Sequence, residues 1–186
     1  MPAALISRDD AIARIAEVFR AQGFDGASLS AITEASGLGK GSLYNHFPGG
    51  KDDMAAAVLA HVDAWFEAEV FAPLRGADAP RAAVAAMFAA VNGYFRSGRR
   101  ICLVGAFALD ATRDRFAAAV QDYFSRWIAA LAACLKRGGA RQPRALAEAT
   151  VAGIQGALVL GRALDDPAVF ARQVADLQGR LLSALA

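Results

Sequence analysis

Residues 28–51 read SLSAITEASGLGKGSLYNHFPGGK, and the punctuation of this stretch decides the fold. Residues 28–36 form a short periodic run with Leu29, Ile32 and Ala35 on one side, stopped by Gly37. A second run, 39–46, meets the strong breaker Pro48-Gly49-Gly50. Runs this short are not stable helices alone, so both need a common support. The preceding segment supplies it. In 8–22, Ile12, Ile15, Ala16 and Phe19 recur at i, i+3, i+4 and i+7, the signature of one buried helix face. Ser7 is placed to cap that helix, Asp9 and Asp10 sit in its first turn where the dipole favours anions, and Gly23 is expected to end it. A longer helix, a short one, a glycine turn and a second short one make a helix-turn-helix arrangement. Leu43 and Phe47 would pack on Ile32, Leu29 and Phe19. Lys40, Ser42, Tyr44, Asn45 and His46 are then left on a polar face, a mixture suited to phosphate oxygens and base edges.

The helical period continues to the end of the chain. Residues 51–71 carry a stripe of Met54, Val58, Val62, Trp65 and Glu69, with Pro73 expected to close the helix. Pro80 opens 81–96, and 101–109 is apolar. In 112–137, Phe116, Val120, Tyr123, Phe124, Trp127, Leu131 and Leu135 point inward, and Gly138-Gly139 ends the run. Pro143 opens a helix to residue 164. Asp166 and Pro167 begin the last one. No alternating β-branched stretch reads as a strand. The expectation is an all-α protein of about nine helices.

Composition narrows the function classes. The chain has 186 residues, 56% of them hydrophobic, and a formal net charge of +2; it can fill a core and is not a disordered chain. Its longest apolar stretches, 82–91 and 101–109, fall short of the ~20 residues a bilayer needs, so no membrane association is expected. The opening MPAALISRDD turns acidic after a few residues, unlike a signal peptide. Cytoplasmic placement follows as an expectation, with Cys102 and Cys134 as reduced thiols. The two histidines, His46 and His61, and the absence of CxxC or HExxH spacing leave little for a metal site. No nucleophile–base constellation is visible, so no catalytic residue, cofactor or enzyme activity is expected. GLGKGS is no phosphate-binding P-loop: Gly41 stands where Ser or Thr must follow the lysine, and no strand precedes it.

The run from Ser28-Leu29-Ser30 through Gly39-Lys40-Gly41-Ser42-Leu43-Tyr44-Asn45-His46-Phe47 resembles the DNA-binding domain of TetR-type transcriptional repressors. The extra residue in His46-Phe47-Pro48-Gly49-Gly50-Lys51, together with Cys102-Leu103-Val104-Gly105-Ala106-Phe107, is similar to the LmrA/YxaF-type branch. The resemblance implies a DNA-binding domain over 1–50 and a ligand-binding and dimerisation domain over 51–186. It implies a homodimer on a palindromic double-stranded operator, released by a small hydrophobic or aromatic effector. By position, Ser28 would cap the second helix and bind phosphate, and Ser30 would stand where a base-contacting side chain often does. Lys40, Ser42, Asn45 and His46 would face the groove. Tyr44 would bond a phosphate, and Lys51 would hold one at the groove edge. Residues 1–51 hold five basic groups (Arg8, Arg14, Arg20, Lys40, Lys51) and five acidic ones (Asp9, Asp10, Glu17, Asp25, Glu34). Placement rather than bulk charge must therefore supply affinity, and a modest salt dependence is expected.

The rest of the chain leaves alternatives open. Trp65, Phe88, Phe95, Phe107, Phe124 and Trp127 are core residues or the lining of an effector cavity, with His61, Asn92, Tyr123 and Gln155 as polar groups facing it and Cys102 beside it. Cys102 reads more readily as a small buried hydrophobe than as a sensor. Ala149, Ala152, Gly153, Gly156, Ala157 and Leu160 lie on one side of their helix. Glycine inside a helix costs ~1 kcal/mol against alanine, so this side calls for close helix approach, in a dimer interface or within the chain. The competing function is a helical ligand-binding or protein-interaction module without specific DNA binding.

Overall fold

The structure is a computed structural model that describes residues 6–76 and 78–186. The opening residues 1–5, used above against a signal peptide, lie outside the described residues. Every regular element among the described residues is helical, as expected for an all-α chain. None is long and apolar enough to cross a membrane. The chain packs as two compact units. One runs to Asp63 and takes in Leu103–Val120; the other is Ala64–Cys102 with Gln121–Ala186. Packing thus draws its line differently from the sequence division at residue 50.

In the first unit, α1 (Arg8–Gly26) starts at Ser7, whose hydroxyl oxygen accepts from the Asp10 amide at 3.1 Å. Gly23 breaks the helix with φ 73° and ψ 175°, but one further turn follows and buries Phe24. α2 (Leu29–Ser36) and α3 (Lys40–His46) follow, each starting one residue later than the sequence reading, because Ser28 and Gly39 are caps. α4 (Lys51–Phe66) comes next. The remaining pieces of this unit are α7 (Leu103–Leu109), a 3₁₀ turn (Arg113–Phe116) and the first turn of α8. Phe19, Phe24, Phe107 and Phe116 form its aromatic core, with ring centroids 5.2–6.2 Å apart.

The second unit holds α5 (Ala72–Gly76), α6 (Pro80–Tyr94), most of α8 (Ala117–Arg137), α9 (Pro143–Ala163) and α10 (Pro167–Ala184). Pro73 does not end the long helix as expected. A π-helical turn (Glu67–Phe71) follows α4, and Pro73 lies in α5 just beyond it. A proline lacks the N–H for an i−4 bond and crowds that carbonyl; the wider turn accommodates both defects. The stripe on α4 also differs. Met54, Val58, Val62, Phe66 and Val70 are buried, whereas Glu69 is exposed and Trp65 half-buried. α9 and α10 form a hairpin. Gly153 lies so close to α10 that a Cβ there would stand 2.9 Å from Leu177, and one at Gly161 would stand 3.3 Å from the Asp166 carbonyl.

Candidate nucleic-acid interface

The helix-turn-helix begins with its caps. The Ser28 hydroxyl oxygen accepts from the Ala31 amide at 3.1 Å, which satisfies an otherwise orphaned helix donor and leaves the hydroxyl proton for a further acceptor. Gly37 closes α2 in the left-handed region at φ 71°, and its amide donates to the Thr33 carbonyl. A Cβ at Gly37 would meet Ile6 Cδ1 at 2.6 Å, so backbone angle and close packing both require glycine. Buried Ser36 stitches the turn, donating to the Thr33 carbonyl at 3.4 Å and accepting from the Leu38 amide at 3.3 Å.

α3 is fixed from beneath. Leu43 has 0% exposure and Phe47 1%, alongside Ile32 and Phe19 in the core. Lys40, Ser42, Asn45 and His46 are exposed, and Tyr44 is 39% exposed. Ser28 and Ser30 are exposed as well. The structure therefore brings the polar face together as the spacing indicates.

Lys51 is engaged differently. Its ammonium donates to the carbonyls of Asp25 at 3.3 Å and Ala27 at 3.4 Å, and lies 4.7 Å from the centre of the Phe24 ring. It thereby ties the start of α4 to the end of α1, where carbonyls concentrate negative potential. An ammonium has three donors, so one remains for a phosphate. Three of the other four basic groups in the first 51 residues are also used within the chain. Arg8 stacks over Phe47, Arg14 donates to the Ser36 carbonyl, and buried Arg20 pairs with Glu17 at 2.7 Å. Lys40 has no such attachment among the described residues. The partners of Arg8, Arg14 and Lys51 lie on other elements, out of reach of a one-dimensional count; only Arg20–Glu17 is a local i, i+3 pair.

Two family descriptions match parts of the chain. Residues 11–58 match the family described as bacterial regulatory proteins, tetR family. Residues 80–176 match the transcriptional regulator LmrA/YxaF-like C-terminal domain. The chain belongs to the TetR family of transcriptional regulators. It is 26% identical over 160 residues to the HTH-type transcriptional regulator LmrA of Bacillus subtilis, covering 83% of this chain and 85% of that one. A TetR regulator from Legionella pneumophila superposes with a TM-score of 0.82 at 19% identity over the whole of both chains. The TetR-family regulator CifR, solved as a cysteine mutant with a 26bp double-strand operator DNA, gives 0.74 at 28% identity over 99% of each chain. Membership makes this TetR-family protein a DNA-binding transcriptional regulator and not an enzyme.

The expected effector residues fall into two sets. Phe107 belongs to the first unit, where its ring meets Phe19, Phe24 and Phe116, and His61 is exposed there. Trp65, Phe88, Asn92, Phe95, Cys102, Tyr123, Phe124, Trp127 and Gln155 all lie in the second unit. Its aromatic cluster centres on Phe66, whose ring lies 4.9–6.1 Å from those of Tyr94, Phe95, Tyr123 and Trp127. Phe66 and Phe71 fall outside a helix phase set on Trp65, whereas Tyr94 lies on α6 next to the expected Phe95. Of the expected interface residues, Ala157 is buried and Gly153 faces α10, so intramolecular packing accounts for both. Ala149, Ala152 and Leu160 are exposed, and a Cβ at Gly156 would meet nothing within 4 Å.

Proposed function

We propose that this regulator is a homodimeric repressor that binds an inverted-repeat operator in the cytoplasm and leaves it when a small apolar or aromatic effector enters the second unit. The observation that carries the reading is α3: its buried side is locked by Leu43, and its outer side offers only polar groups. A two-fold pair of such helices about 34 Å apart would read successive major grooves. Residues 1–50 supply the DNA-binding domain, and 51–186 the effector-binding and dimerisation domain. Ser28, Tyr44 and the spare donor of Lys51 serve phosphates. Ser30, Lys40, Ser42, Asn45 and His46 serve the groove.

Dimerisation is supported by the outer side of α9. Ala149, Ala152 and Gly156 lead there to Val159 and Leu160, 58% and 52% exposed, with Leu164 beyond at 65%. Small residues followed by exposed large ones suit close contact with a second copy. Effector binding is supported by the aromatic cluster and by two buried donors, Trp127 Nε1 and Gln155 Nε2, without partners among the described residues. Such orphans are costly, and a ligand carrying acceptor oxygens would satisfy them. The effector must prefer the DNA-free shape; equal affinity for both shapes would shift nothing.

Selection of genomic fragments by the purified protein at moderate salt, followed by sequencing, tests the reading. An inverted repeat upstream of a few genes is expected. Retention of no defined sequence would reject operator binding and favour a sensor or scaffold role.

A further inference from the structure

We propose that Gly41 is the point at which α3 comes closest to the DNA, and that the nucleic-acid surface, not the fold, requires its missing side chain. The proposal rests on the reading of α3 as the element that enters the groove.

Gly41 does nothing visible for the fold among the described residues. Gly37 and Gly41 stand four residues apart but differ in kind. Gly37 has φ 71° and a Cβ site 2.6 Å from Ile6 Cδ1. Gly41 lies inside α3, outside the left-handed region, and a Cβ built on it meets nothing within 4 Å. Any residue fits there, and alanine would fit better, because glycine is a poor helix former through the backbone freedom it loses. The penalty falls on a helix of seven residues, where each residue matters most. No contact among the described residues offsets it.

The position on the helix supplies the reason. At about 100° per residue, Leu43 points into the core with 0% exposure. Gly41 and Asn45 then lie about 160° to either side of it, on the outermost ridge. Tyr44 and Ser42 flank that ridge at about 100°. The ridge that must advance furthest toward a partner thus carries a short amide at one end and no side chain at the other. Bare backbone lets a helix approach a groove wall by the depth of a side chain, and brings Lys40, Ser42 and Asn45 within reach of phosphates and base edges. Lys40, which has no attachment within the chain among the described residues, adjoins this bare spot.

The test compares the wild type with Gly41→Ala and Gly41→Met, using an operator duplex recovered by genomic selection and a random duplex of equal length. Gly93→Ala, at another exposed helix glycine whose Cβ site is empty, is the control. Gly41→Ala is expected to melt about 2–4 °C higher than the wild type and to bind the operator at least about tenfold more weakly. Gly41→Met should lose more, and Gly93→Ala should keep wild-type affinity. Gly41→Ala binding the operator within twofold of the wild type would overturn the proposal. So would a lower melting temperature, which would assign the glycine to the fold. A wild type that retains neither duplex would instead reject the reading of α3 as a DNA-binding element.

Discussion

Tyr44 and Asn45 are neighbours on α3 to which the proposed function gives different tasks. Tyr44 stands at the side of the helix, 39% exposed, with a hydroxyl able to reach the sugar–phosphate wall. Asn45 stands on the outer ridge, where an amide offers a donor and an acceptor to a base edge. Tyr44→Phe should weaken operator and random DNA by the same factor, about tenfold, because a phosphate contact carries no sequence information. Asn45→Ala should remove about 1–3 kcal/mol of discrimination at one position of each half-site and affect random DNA little. Binding profiles over a randomised operator separate the two; a Tyr44→Phe profile altered at one base would reverse the assignments. Among the residues used only within the fold, Cys134 offers a pH test. It is fully buried, and burial pushes its thiol pKa upward against the opposing pull of the Arg137 charge. Its sulfur faces the Pro80 carbonyl at 3.7 Å. A folded-state pKa above the unfolded one favours the folded protein fully below the ordinary thiol range, and that contribution is lost as pH rises through the folded value. Denaturant midpoints should therefore fall between about pH 8 and 10, and Cys134→Ala should flatten that part of the curve. An unchanged slope in the variant would acquit the thiol.

Two glycines three residues apart on α9 lie only about 60° apart around the helix, yet only one of them meets a neighbour, and substitution should separate fold from assembly. A Cβ at Gly153 would press on Leu177 Cδ1 at 2.9 Å, whereas one at Gly156 meets nothing. Gly153→Leu should overpack the α9–α10 hairpin at a cost of about 1–3 kcal/mol, seen as a lower melting temperature. Gly156→Leu should leave the protomer's secondary structure intact and yield monomers in sedimentation. Monomers from Gly153→Leu alone would move the interface to the other face. Their spacing puts both glycines on one side of the helix; only the partner across the gap distinguishes them. The same limit explains the other displaced assignments. Phe107 and Phe124 are both aromatics in apolar runs, yet Phe107 joins the ring cluster around Phe19 while Phe124 stays half-buried beside Tyr123. Trp65 and Phe66 are adjacent, and the choice of one for the stripe depended on the phase of a helix interrupted by a π turn. What was legible was local: Ser7 and Ser28 as caps and Gly37 as a stop. Each of these acts within a turn or two of its own position, the range over which spacing alone carries information.

Charge is the property of the whole molecule that the site must work against. The first 51 residues are balanced, five basic groups against five acidic, and four of the basic groups already serve contacts within the chain. A dimer reaching phosphates with Lys40 and the spare donor of Lys51 on each protomer would neutralise about four charges. The logarithm of the binding constant should then fall with the logarithm of salt concentration at a slope of about −3.6. Hydrogen bonds from Ser28 and Tyr44 to phosphates would add affinity without adding to the slope, since neither carries charge. Lys40→Ala removes one cation per protomer and should flatten the slope by about 1.8. Lys51→Ala should flatten it too, but should also lower the melting temperature, because the ammonium that bridges Asp25, Ala27 and the Phe24 ring is lost. Titration of the operator at four or five salt concentrations measures all three slopes. A wild-type slope near −8 would mean that basic groups outside this count, from the arginine-rich remainder of the chain, reach the DNA. A slope unchanged in Lys40→Ala would place that lysine away from the phosphates and leave it to the bases of the groove.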